Sequence, residues 1–370
     1  MEIIHVLLGK ANPLGLKGPN RLVHELATQQ ALAKENVSVW GIDPSTIHDY
    51  PWRPFETLLF RKCINPFGLD GKIREALENI RGNAVFHLHG GLTPVFYTLA
   101  RALHRRNIPF VFTPHDSYPA IAFQKGQWGR KIYFQLFEKK ILKHARYIHC
   151  LNKVEKEALE IIYPNKKTML IPYGYEGFTR IKHDNYSREF VIGFCGSLDI
   201  HPKGLDILVK AFALFNKHIP LSELWIIGDG SEQSRLEEMA AEQGVARHVS
   251  FWGNQSEEEK LGLLQQLQVF AHPSRNEGIP VAVLEAASTG IPCVVTEATH
   301  MGEFIRQYNC GEVIDQRDPA ALSEAFKKVY TSIRQNGSSA MSENAQRMIR
   351  EVFNWKTILQ QFHRLYKRAS

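Results

Sequence analysis

Residues 269–296 read VFAHPSRNEGIPVAVLEAASTGIPCVVT, and this stretch decides the fold class. A short run rich in β-branched and aromatic residues leads through a loop into an apolar helical segment, and a second β-branched run follows. Strand, helix and strand in this order predict a βαβ unit on a parallel sheet with helices on both faces. In such a sheet the ligand site lies outside the carboxyl ends of the strands.

The same alternation runs through most of the chain. The apolar runs are IIHVLL, VSVWGI, AVFHLH, PFVFTP, RYIHCL and TMLIP, followed after a polar connector at 174–188 by VIGFCG, LWIIGD, VSFWG, VFAHP and PCVVT. We therefore expect an α/β fold of two tandem Rossmann-like, doubly wound parallel-sheet domains facing a cleft. The first spans residues 1–185 and the second 186–352, and we expect residues 353–370 to form an amphipathic helix on the first domain.

Charge is distributed unevenly between the two halves. The net charge of +7 divides into an excess of ten positive charges in residues 1–185 and of three negative charges in residues 186–370. This asymmetry indicates an anionic partner for the first half, such as a phosphorylated substrate or an anionic membrane face. A solubilising surface bias is the alternative. We expect no nucleic-acid partner.

The cysteines and the apolar runs bear on the compartment. The five cysteines have no C-x-x-C spacing, and three lie in strand-like runs where a buried free thiol is expected. That placement indicates a reducing compartment. The sequence has neither a signal-peptide pattern nor a run of 18 apolar residues. We expect a cytoplasmic protein, attached to a membrane at most peripherally.

Two glutamates bracket the apolar helix of the opening stretch. Pro280 in the first turn is suited to start a helix that runs to about Ser288 and stops at Gly290, so Glu277 lies on the preceding loop and Glu285 inside the helix. A buried Glu285 needs a partner, and a ribose diol would serve.

The start of that helix is a candidate anion site. The first amide groups of a helix, here those of Ile279, Val281 and Ala282, have no partner within the helix and attract negative charge. A diphosphate at this position would place an attached sugar within reach of Glu277. Lys203, in a loop that enters a helix, is a second phosphate-binding candidate.

Glycines and histidines mark the first domain. The loop with Gly15 and Gly18 lets the backbone approach a ligand, although its spacing is neither a Rossmann fingerprint nor a P-loop. His87 and His89 alternate in phase on one strand, and His115 follows the next. No third ligand appears at a recognisable spacing, so we expect no metal site; for His115, structural and substrate-facing roles are equally open.

An ordered series of motifs resembles the retaining glycosyltransferases of family 4, which have the GT-B architecture. The E-x7-E spacing of the two glutamates follows a PS pair and precedes an A-x-x-G-x-P-x-V tail. The resemblance covers nearly the whole chain, including IPYG at 171–174, GS…KG at 196–204, IIGDG at 226–230, VSFWG at 249–253 and GEVIDQRDPAAL near 311.

The resemblance implies roles for single residues. Glu285 would bind the ribose, Lys203 would neutralise the phosphates and Glu277 would hold hydroxyls of the transferred hexose. Gly18 would let its loop close on the phosphates, and His115 would face the sugar. The implied catalytic residues are Glu277, His115 and Lys203, and the implied donor-binding residues are Glu285, Gly18, Ser197, Gly278, Ile279, Pro280, Val281 and Asn254.

The resemblance also implies the reaction. We expect a metal-independent retaining hexosyltransferase that moves a hexose, best guessed as glucose, from a nucleotide-sugar donor, best guessed as a UDP-sugar. The acceptor would be a glycan or a lipid-linked sugar in polysaccharide biosynthesis, and no cofactor is expected. The absence of an Asp-x-Asp motif from the chain agrees with a reaction without a divalent metal.

Two departures from the family pattern concern phosphate and sugar binding. Ser197 stands where members usually carry an arginine, so Lys203 acts alone or His201 or Arg275 substitutes for that arginine. The segment THMGEF at 299–304 lacks the usual paired glycines before its acidic residue.

Residues 125–146 carry seven basic side chains and one acidic side chain, interleaved with aromatic residues. Such a helix could lie on an anionic membrane and approach a lipid-linked acceptor. Alternatively, Ile132, Leu136 and Phe137 pack into the first domain and the lysines are only solvated; we favour this second interpretation.

Other functions fit less well. A UDP-sugar epimerase or a phosphorylase shares a two-domain scaffold of this kind, and a nucleotide-sugar binding protein without activity would fit if Ser197 marks lost catalysis. A NAD dehydrogenase would need the dinucleotide glycine pattern, which this chain lacks.

Overall fold

The computed structural model describes residues 1–12, 19–80, 82–115, 117–123, 126–175, 189–275, 277–315, 318–337 and 339–370. The chain divides into two compact units. Met1–Gly174 together with Trp355–Ser370 form the first unit, and Tyr175–Asn354 form the second. The domain boundary predicted at residue 185 falls within residues 176–188, outside the described residues.

The first unit is built on a parallel sheet. In its described residues the strands are β1 (Glu2–Leu8), β2 (Asn36–Asp43), β3 (Glu56–Arg61), β4 (Ala84–His89), β5 (Phe110–Thr113), β6 (Tyr147–Cys150) and β7 (Thr168–Leu170). Their order is β3-β2-β1-β4-β5-β6-β7, and every pair is parallel. The strand order therefore reverses between β1 and β4.

Helices flank this sheet. They are α1 (Pro19–Leu32), α2 (Gly71–Asn79), α3 (Pro94–Arg105), α4 (Pro119–Phe123), α5 (Trp128–Tyr133), α6 (Lys139–His144) and α7 (Lys153–Ile162). A π-helical turn at Phe134–Glu138 joins α5 to α6.

The second unit repeats the plan. Its described strands are β8 (Phe190–Cys195), β9 (Ser222–Ile227), β10 (Val249–Gly253), β11 (Val269–His272), β12 (Cys293–Thr296) and β13 (Gly311–Ile314), in the order β10-β9-β8-β11-β12-β13. Here the strand order reverses between β8 and β11. The helices are α8 (Ile200–Lys203), α9 (Leu205–Asn216), α10 (Gln233–Glu242), α11 (Glu257–Leu264), α12 (Val281–Ser288), α13 (Gly302–Tyr308), α14 (Pro319–Asn336) and α15 (Ser339–Met348).

The predicted fold class, two doubly wound parallel sheets, is confirmed. Sequence patterns missed one strand in each sheet, β3 and β13. Both are edge strands: β3 alternates buried with exposed residues and carries charged ends, and β13 has four residues of which only Ile314 is fully buried. Neither strand has the continuous apolar run that marks a central parallel strand.

The opening stretch folds as a βαβ unit. Helix α12 begins at Val281, with Pro280 at its N-cap in an extended conformation (φ −75°, ψ 125°), so the prediction that Pro280 lies in the first turn was wrong by one position. The predicted end at Ser288 is confirmed, and Gly290 follows with a positive φ of 86°.

The described part of the basic segment, residues 126–146, packs differently from the favoured interpretation, which was wrong for two of its three residues. Ile132 and Leu136 are more than half exposed, whereas Phe134, Ile141 and Leu142 enter the core of the first unit. These three residues occupy the buried side of the segment, which leaves Ile132 and Leu136 on the exposed side. Phe137 is half-buried, and its ring centroid lies 4.8 Å from that of Phe67.

The final helix, α16 (Trp355–Ala369), belongs to the first unit. Its buried side chains join α1 and residues of β1, β2, β4 and β5 in one hydrophobic cluster. The helix places Ile358, Phe362, Leu365 and Tyr366 on one stripe, and its charged residues stay on the opposite face.

Replacing Phe362 by Ala should therefore destabilise the first unit by about 3–5 kcal/mol, because a buried aromatic side chain leaves a cavity. Chemical denaturation measures the change. Arg364, which is exposed on the same helix, is the control. Its replacement by Ala should change the free energy of unfolding by less than about 0.5 kcal/mol. Equal effects of the two substitutions would contradict the packing of α16.

Candidate functional site

The second unit brings Lys203 and Glu277 together where its strand order reverses. Lys203 ends α8, just beyond β8, and Glu277 lies on the loop after β11. The Lys203 ammonium donates to Glu277 Oε1 at 2.5 Å, and His272 Nε2 lies 2.7 Å from Glu277 Oε2. Both oxygens of this carboxylate are therefore held from the carboxyl ends of neighbouring strands, which is where open α/β sheets bind ligands.

The environment of Glu277 keeps it ionised. Burial alone would raise its pKa, but the hydrogen bonds and charges of His272 and Lys203 outweigh burial and lower the pKa to about 2. The carboxylate is thus a fixed negative group that accepts hydrogen bonds at neutral pH.

Backbone contacts fix the two loops against each other. Gly204 has a positive φ of 69°, and a Cβ atom there would lie 2.1 Å from the carbonyl oxygen of Pro273. Ser274 Oγ and the Arg275 amide both donate to the carbonyl of Pro202, at 2.9 and 2.8 Å. The close approach that holds Lys203 beside Glu277 therefore depends on a residue without a side chain.

Ser197 stands where family members usually carry an arginine, and the structure shows the contacts of the residues that could replace that positive charge. Ser197 donates its hydroxyl to Asp199 at 2.6 Å. The Arg275 guanidinium makes two hydrogen bonds to the carboxylate of Asp206, at 2.6 and 2.7 Å, and a third to the carbonyl of His201. Arg275 therefore has an acidic partner already, and the side chain of His201 is exposed.

Glu285 has a partner that the sequence analysis missed. Lys260, on α11, donates to Glu285 Oε1 at 2.8 Å, and the carboxylate is largely buried on α12. Lys260 follows three glutamates in SEEEKL, a pattern typical of a solvated helix, so the sequence carried no sign that this lysine turns inward.

The other predicted donor-binding residues that the structure describes lie at the start of α12 and just beyond β10. Gly278 and Ile279 lead into α12, whose first hydrogen bond runs from the Val283 amide to the Pro280 carbonyl. The amides of Val281 and Ala282 precede it and have no intrahelical acceptor. Asn254 is exposed just beyond β10. Gly18 lies outside the described residues.

The first unit holds a group of histidines that are buried except for His115, which is partly buried. His5 lies on β1, His87 and His89 on β4, His149 on β6, and His115 just beyond β5. One row of hydrogen bonds links Gln30, His5, His89 and His115, with distances of 2.7, 2.9 and 3.0 Å. A second row links Tyr366, His87, Thr113, His149 and the carbonyl of Ile171, with distances of 2.8, 2.6, 2.8 and 2.8 Å.

These histidines are neutral at physiological pH. Burial lowers the pKa of His5 and of His149 to about 4 and of His115 to about 3, and it lowers the pKa values of His87 and His89 well below the usual range. A positive charge here would be desolvated and close to its neighbours.

A metal ion is one candidate use for this group. Ligand atoms of His5, His87 and His89 lie within 4.8 Å of one another, so the structure supplies the third ligand that sequence spacing did not reveal. All six ring nitrogens of these three residues nevertheless have hydrogen-bond partners in the two rows. Hydrogen bonding therefore satisfies the group without an ion.

Two family models match the chain. Residues 16–176 match the model described as Glycosyltransferase Family 4, and residues 176–348 match the model described as Glycosyl transferases group 1. Together they cover most of the sequence in the order that the two units require. Each model covers just under half of the chain, and together they support a family 4-like glycosyltransferase.

Several curated relatives match about half of this chain. It is similar to D-inositol 3-phosphate glycosyltransferase of Corynebacterium urealyticum, with 30% identity over 48% of this chain and 42% of that protein. It is also similar to a GDP-mannose-dependent phosphatidylinositol monomannoside mannosyltransferase of Mycolicibacterium smegmatis, with 28% identity over 44% of each chain. The matched region thus spans less than half the length of these relatives.

Solved structures resemble the whole chain in fold. Sucrose-phosphate synthase from Thermosynechococcus elongatus superposes with a TM-score of 0.73 at 18% identity, covering 100% of this chain and 99% of that chain. Anabaena HepE, solved in complex with UDP, superposes with a TM-score of 0.75 at 16% identity, covering 98% and 99%. At these identities the likeness shows the GT-B fold.

Within the described ranges, every helix is too short or too polar to cross a bilayer.

The lowered pKa of Glu277 predicts a pH-dependent contribution to stability. Its pKa falls from 4.5 to about 2 on folding, so the contribution is present above about pH 5 and is lost as the pH falls towards 2. Glu277→Gln should be less stable than the wild type by up to about 3 kcal/mol at pH 7, and the difference should narrow between pH 5 and pH 2. Glu258→Gln, at an exposed position, is the control; a difference that does not change with pH would contradict the assignment.

Proposed function

We propose that this protein is a retaining hexosyltransferase that acts without a divalent metal. It transfers a hexose, glucose as the best candidate, from a UDP-sugar to a glycan or lipid-linked acceptor in polysaccharide biosynthesis. The observation that carries the proposal is the Lys203–Glu277–His272 group at the strand-order reversal of the second unit, in a chain that both glycosyltransferase models match.

The chemistry of this group suits the departure of a nucleoside diphosphate. The bond between the anomeric carbon and the phosphate oxygen breaks with its electron pair going to the phosphate. Lys203 stabilises the negative charge that develops there, together with the first amides of α12. Glu277, ionised and held on both oxygens, accepts hydrogen bonds from hexose hydroxyls and keeps the sugar in position.

The acceptor then bonds to the anomeric carbon on the same face, so the configuration is retained. Its hydroxyl proton passes to an oxygen of the leaving phosphate, which balances the reaction without a protein base. Glu285 binds the ribose and exchanges Lys260 for the diol, and residues around Asn254 meet the base.

The comparisons name different nucleotides. Anabaena HepE was solved with UDP and with UDP-glucose, whereas the mycolicibacterial relative is GDP-mannose-dependent. We propose UDP as the nucleotide of the donor because HepE aligns over almost the whole chain. Thermal-shift measurements with UDP, GDP, ADP and their sugars compare these candidates directly.

The transfer proposal predicts the behaviour of Glu277→Ala. Turnover should fall by at least about a hundredfold because the sugar loses its positioning group, while UDP should still raise the melting temperature. Product formation from UDP-glucose is measured with and without EDTA, using Glu258→Ala as the matched control. Unchanged turnover in Glu277→Ala would remove this residue from the site, and EDTA inactivation reversed by Mn²⁺ would overturn the metal-free mechanism.

The same assay separates the other functions. An epimerase converts the sugar nucleotide without any acceptor, so product analysis in the absence of acceptor identifies it. A binding protein would show the UDP-dependent rise in melting temperature with neither transfer nor hydrolysis.

We also propose that α5 and the following turn lie on an anionic membrane face, which brings the enzyme to a lipid-linked acceptor. Trp128, Ile132 and Leu136 are 75%, 57% and 52% exposed and recur every four residues, so they form one apolar stripe. Basic side chains accompany the stripe on the same segment, among them Arg130, Lys131, Lys140 and Lys143. Apolar insertion and attraction to anionic lipid act together in such a surface.

Vesicle sedimentation tests this stripe. The protein should sediment with phosphatidylserine-containing vesicles at low salt, and Trp128→Ser with Ile132→Ser should reduce binding by about tenfold or more. Ile161→Ser is the control, since Ile161 is 60% exposed on α7, outside the basic segment. Equal binding by the wild type and the double variant would refute the membrane face.

A further inference from the structure

In the two rows of hydrogen-bonded histidines, the donor and the acceptor of each hydrogen bond can be derived. Each imidazole is neutral, so it carries one N–H donor and one bare acceptor nitrogen. Once one end of a row is fixed, every proton along it follows. The Ile171 carbonyl, which can only accept, fixes the second row.

His149 must donate from Nε2 to this carbonyl, at 2.8 Å. Its Nδ1 is then bare and accepts from the Thr113 hydroxyl, so Thr113 in turn accepts from His87 Nε2. His87 Nδ1 is therefore bare and accepts the proton of the Tyr366 hydroxyl at 2.8 Å. The Tyr366 oxygen retains only lone pairs for any other neighbour.

Gln30 fixes the first row. Its amide oxygen lies 2.7 Å from His5 Nε2, and its NH₂ group is buried without a hydrogen-bond partner among the described residues. An amide oxygen can only accept, so it sets the direction of the first row as the Ile171 carbonyl sets that of the second.

The first row follows from that orientation. His5 donates from Nε2 to Gln30, so His5 Nδ1 accepts from His89 Nε2. His89 Nδ1 then accepts from His115 Nε2 at 3.0 Å. The proton of His115 is thereby held on Nε2, and its Nδ1 is left as a buried acceptor without a partner among the described residues.

We propose that Gln30 is a positioning residue for His115: acting through His5 and His89, it holds His115 as the Nε2–H tautomer, so that Nδ1 accepts a hydrogen bond from a sugar hydroxyl. The assignment to a sugar rests on the proposed function. An unpaired buried acceptor needs a donor, and sugar hydroxyls supply one. His115, His89 and His149 also line a pocket of the first unit, together with Tyr173 and Trp355.

Nitrogen NMR of the full-length protein with ¹⁵N-labelled histidine reads the tautomer directly, and His115→Gln assigns the signal. In the wild type and in Gln30→Glu, which keeps an acceptor facing His5, His115 should show a protonated Nε2. In Gln30→Met the two tautomers should mix, and kcat/KM for the sugar nucleotide should fall about tenfold. Gln29→Met, on the same helix, should leave the signal unchanged.

The NMR signal tests the tautomer of His115, and the activity assay tests the proposed function, so the two can fail independently. A wild-type His115 with its proton on Nδ1 overturns the inference even if Gln30→Met does not fold, and so does a Gln30→Met signal identical to that of the wild type. An Nε2–H signal that depends on Gln30 in a protein without transferase activity would uphold the relay and refute the proposed function.

Discussion

The contact between Lys203 and Glu277 is the interaction on which the second unit's site depends. It joins the segment after β8 to the loop after β11, the two strands between which the order of the sheet reverses. The pair forms only because the backbones of Gly204 and Pro273 approach to a distance that a Cβ atom would prevent. The position of the Lys203–Glu277 ion pair therefore depends both on the strand-order reversal and on Gly204.

Much of this could be predicted from the sequence. The alternation of β-branched runs with amphipathic segments is dictated by burial on both faces of a parallel sheet, so the fold class and most strands followed from it. The edge strands β3 and β13 did not, because half of their surface is solvated and their pattern resembles a loop. The E-x7-E segment was correctly divided between loop and helix, while the first turn was misplaced at Pro280.

Side-chain partnerships were the less predictable part. Lys260 was hidden in a run of glutamates, and Arg275 was a phosphate-binding candidate until Asp206 appeared as its bidentate partner. Histidine periodicity indicated that His87 and His89 point the same way but could not reveal His5 on the adjacent strand, because register between strands is set by the whole sheet. Which side chains meet across a parallel sheet depends on long-range packing that local patterns do not encode.

The Lys260–Glu285 pair has a consequence for nucleotide binding. Glu285 is a largely buried carboxylate, and leaving such a group without a partner is costly. On the proposed function, the ribose diol takes the position of the Lys260 ammonium, so the carboxylate has a hydrogen-bond donor both before and after the nucleotide arrives. Lys260 thus takes the place of the ribose before the nucleotide binds. Binding exchanges one hydrogen-bond donor for another, so the buried carboxylate of Glu285 always has a partner.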